Sequence, residues 1–458
     1  MPYLNLQQLR LRDYRCFEAI DIDFHPKLTV LVAANGGGKT AILDAIAVAF
    51  GPYIGAFDEA VGKHFESSDI RQFRVRETAT NEMEYAAQGV RLEASGCIPD
   101  SNTSSTIWRR SLTSPTKAKT TIRDANELID YGKRLQAAVR TPGKDVLLPL
   151  IAYYGTGRLW QQKKRTEAKG IQHTSRTIGY TDCVDPASSY KSFVEWFRYW
   201  NRNAQDLQFK NQTLSPAYQE FIGYIASVTG AVDTCLAPVG WKDIEYSFRL
   251  DHLVAHHDQY GELPVALLSD GIRNMIGMVA DIAFRATKLN GQLGAKAATQ
   301  TPGIVLIDEI DMHLHPQWQQ IVLQSLTQAF PQMQFIVTTH SPQVLSSVRR
   351  ENIRVIGPDP SGRIVAQPPL AMTYGEPSGD VMHSVMLVDP QPPVSEKADL
   401  QRLTEWVDQG NYASAEATQL MQSLITALGE QHPQLQRLRR SIQRQEALNI
   451  QRQESLKR

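Results

Sequence analysis

The stretch that decides the fold is Leu28-Thr29-Val30-Leu31-Val32-Ala33-Ala34-Asn35-Gly36-Gly37-Gly38-Lys39-Thr40. It begins with a continuous apolar run, which predicts a buried strand, and residues 41–50 after it have the composition of a good helix. A glycine cluster therefore stands between a strand and a helix. Glycines allow the backbone to turn so that successive N–H groups and the helix N-terminus point at phosphate oxygens. The final lysine and threonine complete the pattern of a phosphate loop.

This loop predicts a site for ATP and Mg²⁺. We expect Lys39 to bridge the β- and γ-phosphates and the Thr40 hydroxyl to bind Mg²⁺. Ala33 stands where the usual pattern has its first glycine, and an alanine fits there if its φ is negative. A glycine-rich turn without a ligand is the alternative, but it would not explain the lysine and threonine. The predicted ATP-binding residues of the loop are Asn35, Gly36, Gly37, Gly38, Lys39 and Thr40.

A second apolar run, Ile304-Val305-Leu306-Ile307, ends in the adjacent carboxylates Asp308 and Glu309. A strand buried on both faces rarely ends in acidic residues without a cation to bind. We therefore predict that Asp308 orients Mg²⁺. Because side chains alternate along a strand, Glu309 is predicted to point the other way and to act as the general base that polarises the attacking water.

A third buried strand is predicted over residues 335–339, and His340 follows it. A histidine in such a setting, taken alone, is more often a structural residue. In a chain that also has a phosphate loop and a strand ending in paired acids, it is better explained as a catalytic sensor of the γ-phosphate.

The segment Leu268-Ser269-Asp270-Gly271-Ile272-Arg273 stands at the predicted start of a helix, upstream of the acidic strand. It resembles the Leu-Ser-x-Gly signature of ABC-type ATPases. The order of phosphate loop, signature, acidic strand, Asp311 and His340 resembles the heads of the RecF, SMC and OLD group, and the resemblance covers most of residues 1–358. It implies that Ser269 and Gly271 of one head contact the γ-phosphate held by Lys39 of another head, so that ATP joins two copies.

A further element, Asp13-Tyr14-Arg15-Cys16-Phe17, resembles the Asn-Phe-Arg-x-Phe element of the same group. Asp13 and Tyr14 depart from it, and the resemblance implies a nucleotide contact for Arg15. Three other segments are similar to the PtuA ATPases of the Septu antiphage system, some of which stand beside retrons; they are Ala152-Tyr153-Tyr154-Gly155-Thr156-Gly157-Arg158-Leu159-Trp160, Tyr180-Thr181-Asp182-Cys183-Val184-Asp185-Pro186 and Asp308-Glu309-Ile310-Asp311-Met312-His313-Leu314-His315-Pro316. The implied partners are a second copy of the chain, in a dimer or higher homo-oligomer, and an HNH nuclease similar to PtuB. A retron reverse transcriptase with its RNA and DNA is a further candidate.

These elements predict an α/β fold of the ABC-ATPase head type, with a mixed N-terminal sheet, a mostly parallel core sheet with flanking helices, a helical insert and a helical C-terminal region. We predict an N-terminal lobe over 1–160, a loop and helical insert over 161–240, a C-terminal lobe over 241–365, and a helical region for partner binding or oligomerisation over 366–458. A single strand is expected over 243–253 and a single helix over 313–330.

Composition limits the remaining possibilities. Forty-eight Lys and Arg balance 48 Asp and Glu, so contact with nucleic acid would need a local patch. The arginine-rich C-terminal end is a candidate for such a patch, or for binding an acidic face of a partner. A solvated tail is an equal alternative.

The four cysteines stand far apart and suggest neither a zinc site nor a disulfide framework. His313 and His315 near Asp311 suggest a metal site, but the family resemblance accounts for them. Without a leader pattern or an apolar run near the ~18 residues of a membrane span, we expect a cytoplasmic protein without membrane contact.

Several functions compete with a slow, regulatory ATPase that controls a partner nuclease. A self-sufficient nuclease of the OLD kind would need a Toprim domain, and residues 359–458 contain no Asp-x-Asp. A RecF- or SMC-like repair ATPase acting on DNA directly is the main alternative, although the insert over 188–228 is too short for the long coiled coil of SMC. A transporter ATPase is least favoured, because nothing indicates docking to a membrane partner.

Overall fold

A computed structural model of the chain describes residues 3–74, 83–101, 104–116, 118–157, 175–186 and 191–456. Some residues singled out above lie outside these ranges. They are Arg158, Leu159 and Trp160 of one family-like segment, most of the loop predicted after residue 160, and Lys457 and Arg458 at the basic C-terminal end.

The strands, in chain order, are β1 (Gln8–Tyr14), β2 (Phe17–Asp23), β3 (Leu28–Val32), β4 (Gln72–Arg74), β5 (Met83–Tyr85), β6 (Val90–Gly96), β7 (Thr106–Leu112), β8 (Leu150–Tyr154), β9 (Trp241–Ser247), β10 (His252–His257), β11 (Gly261–Pro264), β12 (Gly303–Ile307), β13 (Met333–Thr338), β14 (Ile353–Pro358) and β15 (Ile364–Gln367). The α-helices are α1 (Lys39–Ile54), α2 (Asn126–Val139), α3 (Lys191–Phe209), α4 (Pro216–Leu236), α5 (Asp270–Leu289), α6 (Ala297–Gln300), α7 (Pro316–Gln319), α8 (Val322–Ala329), α9 (Pro342–Ser346), α10 (Ser378–Ser384), α11 (Lys397–Asp408), α12 (Ala415–Leu428) and α13 (Pro433–Leu456).

The central sheet has the strand order β15-β14-β3-β13-β12-β8, and all its neighbouring strands are parallel except the edge pair β14 and β15. Strands β8, β12 and β13 are buried along their whole length, as the continuous apolar runs predicted. The carboxyl ends of β3, β13, β12 and β8 therefore meet at one edge. The α/β fold predicted from the sequence is confirmed, and this edge is where ligands bind in open parallel sheets.

A second sheet has the order β2-β1-β6-β7. All its strand pairs are antiparallel, which refines the mixed arrangement predicted from the sequence. Strands β9, β10 and β11 form a third, antiparallel sheet. The single strand expected over 243–253 is therefore wrong. A tight turn at Asp251, which has φ 56°, divides that region into β9 and β10.

The single helix expected over 313–330 is also wrong. His313 adopts φ 63°, and helix α7 begins only at Pro316, whose ring suits the first helical position. The His315 side chain accepts a hydrogen bond from the backbone N–H of Gln317 and so caps α7. Residues 313–315, expected as the first turn of the helix, thus form a turn and a cap, and a further turn at residues 320–321 separates α7 from α8.

Helices α3 and α4 form the helical insert and pack against α5. The aromatic residues Phe193, Phe197 and Trp200 of α3 are buried, and Phe193 and Trp200 contact Phe284 of α5. By length and composition alone, the segment Pro216–Val239 could cross a membrane, which the sequence reading missed. A helix packed within a protein passes the same test, and α4 contacts α3, α5 and α8.

The chain divides into two compact units, Met1–Met386 and Leu387–Arg458. The first unit has one extensive apolar core, which includes residues from Leu4 to Val385. The second unit contains α11, α12 and α13 around a small core of its own, built on leucines such as Leu403, Leu424 and Leu435.

Candidate functional site

The phosphate loop joins the end of β3 to the start of α1. Gly36 and Gly38 have φ values of 77° and 85°, which favour glycine. A Cβ atom on Gly38 would lie 2.2 Å from the ring of Phe17, so no other residue fits there. Gly38 is the N-cap of α1 and supplies no side-chain cap. The first N–H groups of α1 therefore need acceptors from elsewhere. Oxygen atoms of an anion could serve as these acceptors.

Ala33 fits the loop although the usual pattern has glycine there. It does not adopt a positive φ, which was the condition for tolerating alanine. Its methyl group lies close to the Cα of Gly37, because a Cβ built on Gly37 would come within 2.8 Å of the Ala33 Cβ. The departure at position 33 is thus compatible with the loop, provided that position 37 stays glycine.

The Lys39 side chain is buried and curls over the loop. Its Nζ donates to the carbonyl oxygen of Ala33 at 3.1 Å and to that of Ala34 at 3.4 Å. Burial lowers the pKa of Lys39, and the carboxylates of Asp308, Glu309 and Asp311 oppose that shift. A buried ammonium group beside the loop is well suited to a multiply charged anion.

Asp308 follows β12 and is almost fully buried, with 1% of its surface exposed. Its Oδ2 accepts a hydrogen bond from Thr40 Oγ1 at 2.7 Å, and its Oδ1 accepts one from Thr338 Oγ1 at 2.6 Å. The structure therefore brings together the two residues predicted to bind Mg²⁺. Hydroxyl and carboxylate oxygens are the donor atoms that this ion prefers.

Glu309 leaves the strand in a left-handed conformation with φ 47°. Such a conformation costs about 1–2 kcal/mol in a residue other than glycine, so the surroundings must hold it. The Glu309 N–H donates to Thr338 Oγ1 at 2.8 Å. The direction of Glu309 is thus set by a turn held by Thr338. The strand alternation assumed from the sequence does not set it.

His340 follows β13 at the same edge of the sheet and is half-buried. The carboxylate of Asp311 accepts from Thr339 Oγ1 at 2.5 Å and from the His340 N–H at 3.4 Å. The side chain of Asp311, after β12, therefore connects to the segment after β13 by hydrogen bonds. Asp311 positions the histidine, which the sequence did not indicate.

The signature residues lie at the start of α5. Ser269 is the N-cap and is exposed. Gly271 packs against the turn after β12, because a Cβ on it would lie 2.3 Å from the carbonyl oxygen of His313. Within one chain, the near neighbours of Gly271 are thus the backbone atoms of His313 and Leu314, which explains why this position is glycine.

Arg15 lies in the turn between β1 and β2, with φ 48°. Its Nε donates to Asp69 at 2.7 Å and its Nη1 to Asp44 of α1 at 2.7 Å, while Lys63 pairs with the other oxygen of Asp44. The turn that carries Arg15 therefore clamps the phosphate-loop helix. A nucleotide contact for Arg15 stays a prediction.

Two residues near the site were missed by sequence reasoning. Thr338 bonds both Asp308 and Glu309, and Tyr154 accepts the N–H of Asp308 on its backbone oxygen at 2.8 Å. The only signal for Thr338 was a hydroxyl in an otherwise apolar strand, and its importance depends on the register between β12 and β13.

Comparison with known families and proteins gives a consistent result. A family described as "AAA domain" matches residues 8–214, and one described as "AAA domain, putative AbiEii toxin, Type IV TA system" matches residues 239–346. The "Retron Ec83 probable ATPase" of Escherichia coli is 25% identical over 96% of this chain and 87% of that protein. The "Retron Vc95 probable ATPase" of Vibrio cholerae serotype O1 biovar El Tor is 24% identical over 83% of this chain and 78% of that protein.

A shorter match joins the chain to the Septu protein PtuA of Bacillus mycoides (strain KBAB4). It is 39% identical, but over 25% of this chain and 17% of that protein. Among solved structures, an SMC head bound to the C-terminal winged-helix domain of ScpA is 17% identical. It covers 80% of this chain and 98% of its own, with a TM-score of 0.47.

Proposed function

The chain belongs to the ABC-type ATPases of the RecF, SMC and OLD group, and from that premise we propose that it is the ATPase subunit of an antiphage-defence complex that controls a separate nuclease. The observation that carries the ATPase assignment is the direct bond from Thr40 to Asp308, which joins the phosphate loop to the acidic strand end. In a plain glycine turn, this bond would have no purpose.

The residues fit ATP and Mg²⁺. Lys39 and the N–H groups at the start of α1 would bind the phosphates, since α1 lacks a side-chain cap. Thr40 and Asp308 would hold Mg²⁺, which neutralises charge on the phosphate oxygens when bound. We propose the same phosphate contacts for Asn35, Gly36, Gly37 and Gly38, and a further nucleotide contact for Arg15.

Glu309 is the proposed general base. Thr338 holds its backbone turn, and its carboxylate would take a proton from the attacking water. His340, whose backbone is fixed by Asp311, is the proposed sensor of the γ-phosphate. Both side chains follow strands that end at the edge reached by Lys39.

The second half of the site is proposed to come from another copy. Ser269 is exposed at the N-terminus of α5, where the helix dipole favours an anion. When Ser269 and Gly271 of one copy reach the γ-phosphate bound by the other, ATP joins the two. Hydrolysis then loosens the pair, so that the nucleotide state becomes a change in geometry that a partner can detect.

A defence function is supported by the relatives, which carry the names of retron ATPases and of the Septu protein PtuA. The proposed partner is an HNH nuclease similar to PtuB, and a retron reverse transcriptase with its RNA and DNA is a further candidate.

Bacteria that express the chain with its neighbouring genes should resist phage, and Lys39→Ala should abolish the resistance. A tagged chain should co-purify with the nuclease encoded next to it. Full resistance in cells lacking any neighbouring nuclease gene would contradict this proposal.

A further inference from the structure

One residue contacts both the acidic strand end and the signature helix. Tyr154 is the last residue of β8, and its backbone oxygen accepts the N–H of Asp308 at 2.8 Å. Its side-chain hydroxyl donates to Asp281 Oδ2, in the middle of α5, at 2.7 Å. The relative position of Asp308 and α5 is therefore fixed through a single, almost fully buried tyrosine.

Asp281 is also paired with Arg285, one helical turn later. Arg285 Nε donates to Asp281 Oδ2 at 2.7 Å, and their side chains are 6% and 2% exposed. Burial opposes the charge on Arg285, but the carboxylate of Asp281 raises the pKa of Arg285, so the guanidinium stays charged. A buried ion pair is weak evidence for stability, since apolar residues of similar volume would often serve as well. Apolar residues could fill the same volume, but they could not form the directed hydrogen bonds of Asp281 and Arg285.

Arg285 extends the contact beyond the helix. Its Nη1 donates to the backbone oxygens of Gly179 and Thr181, both at 2.9 Å. These belong to the turn that leads to Cys183, and Tyr153 of β8 donates its N–H to the Cys183 oxygen at 2.8 Å. The turn over 179–183 is thus bound to α5 and to β8 at once.

The N-terminal end of α5 lies at the signature. Gly271 is in backbone contact with His313, and Asp281 lies ten residues further, about 15 Å along the helix. A helix moves as a rigid element, so a shift at Gly271 must also displace Asp281 against Tyr154. Among the described residues, Asp281 Oδ1 has no hydrogen-bond partner, which leaves a second acceptor for a different pairing.

We propose that Tyr154, Asp281 and Arg285 are positioning residues that set the signature helix against the acidic strand end and carry changes at the nucleotide site to the turn over 179–183. This proposal rests on the proposed ATPase function, because it assumes that a second copy and its nucleotide displace α5. It adds a route by which the nucleotide state reaches the turn over 179–183, in which Asp182 is exposed.

The first test is Tyr154→Phe in the full chain, which removes only the hydroxyl. We expect ATP affinity within about twofold of wild type and a turnover about tenfold lower, since one buried hydrogen bond to a charged group is worth about 1.5 kcal/mol or more. Tyr246→Phe is the matched control. It removes the hydroxyl of a buried tyrosine in β9 that donates to the carboxylate of Asp251, outside the network of Tyr154, Asp281 and Arg285, and it should leave turnover unchanged. Equal loss of turnover in both variants would mean a purely structural role and would overturn the proposal.

The second test does not depend on hydrolysis. The Cys183 thiol is buried, so its rate of alkylation reports opening of the turn, and mass spectrometry separates it from Cys16, Cys97 and Cys235. In the wild type, a non-hydrolysable ATP analogue should change this rate, and in Tyr154→Phe and Asp281→Asn the rate should no longer respond. A nucleotide response in these variants equal to that of the wild type, or none in a wild type that binds the analogue, would overturn the relay. A wild type that binds ATP without hydrolysing it would contradict the ATPase proposal instead, while the labelling result would still stand.

Discussion

The two halves of the predicted nucleotide site satisfy their polar groups in different ways. In the phosphate-loop half, Thr40, Asp308 and Thr338 are linked by hydrogen bonds of 2.6–2.7 Å, and Lys39 is buried against its own loop. In the signature half, Ser269 is exposed at the start of α5. The first half is arranged by the fold of the chain itself, whereas the second presents its polar groups outward.

Other serines in the chain sharpen this contrast. Ser215, Ser341 and Ser414 are N-caps, and each side chain accepts a backbone N–H of its own helix. Ser269 occupies the same position on α5, but within the described part of the chain its hydroxyl makes no capping bond. A serine that does not serve its own helix is available for a ligand, which is what a site shared between two copies requires.

Lys39→Ala should have the largest effect, because it removes the buried charge of the phosphate-loop half. Removing one partner of a buried charge pair costs about 2–5 kcal/mol, so ATP affinity should fall at least about 30-fold. Titration calorimetry with Mg²⁺-ATP measures this. Lys27→Ala is the matched control. Lys27 is exposed just before the start of β3, so this substitution should leave ATP affinity unchanged. If Lys39→Ala bound ATP normally, the loop would not be the phosphate site.

Glu309→Gln separates binding from catalysis within the same half. Turnover should fall by about 10²–10⁴, the usual contribution of a general base, while ATP binding is retained. Since hydrolysis is what loosens the pair, the variant should accumulate as an ATP-bound dimer in size-exclusion chromatography. Equal hydrolysis rates in the variant and the wild type would show that Glu309 is not the base.

Ser269→Ala tests the outward-facing half, with Ser215→Ala as its counterpart. Loss of a hydrogen bond to a charged phosphate should weaken ATP-dependent self-association about tenfold or more, without altering ATP binding by a single chain or thermal stability. Ser215→Ala should do the reverse, costing about 1 kcal/mol of stability without affecting self-association. Sedimentation velocity and thermal unfolding distinguish the two. The shared-site proposal fails if both variants associate like the wild type.

The sequence predicted the features that depend on local patterns and missed those that depend on contacts between distant residues. The phosphate loop is contiguous, and β12 and β13 are buried on both faces, so local patterns were enough to identify them. The turn at His313 packs its backbone against Gly271, forty-two positions earlier, and a local sequence pattern does not contain such a contact. The conformation of Glu309 was missed because it depends on a hydroxyl from the neighbouring strand. Patterns along one strand do not contain the register between two strands.

Thr338→Val gives the smallest expected effect and tests that missed contact. Valine keeps the shape but removes the donor to Asp308 and the acceptor for the Glu309 N–H, so the free energy of unfolding should fall by about 1–3 kcal/mol. Turnover should fall several-fold, because Glu309 is no longer held, while ATP affinity changes little. Thr29→Val is the control, since Thr29 is equally buried but bonds the His25 N–H, at the opposite end of β3. It should lose stability without losing turnover. If both variants kept full turnover, Thr338 would be a structural threonine, and the position of Glu309 would have to be held by something other than its bond to β13.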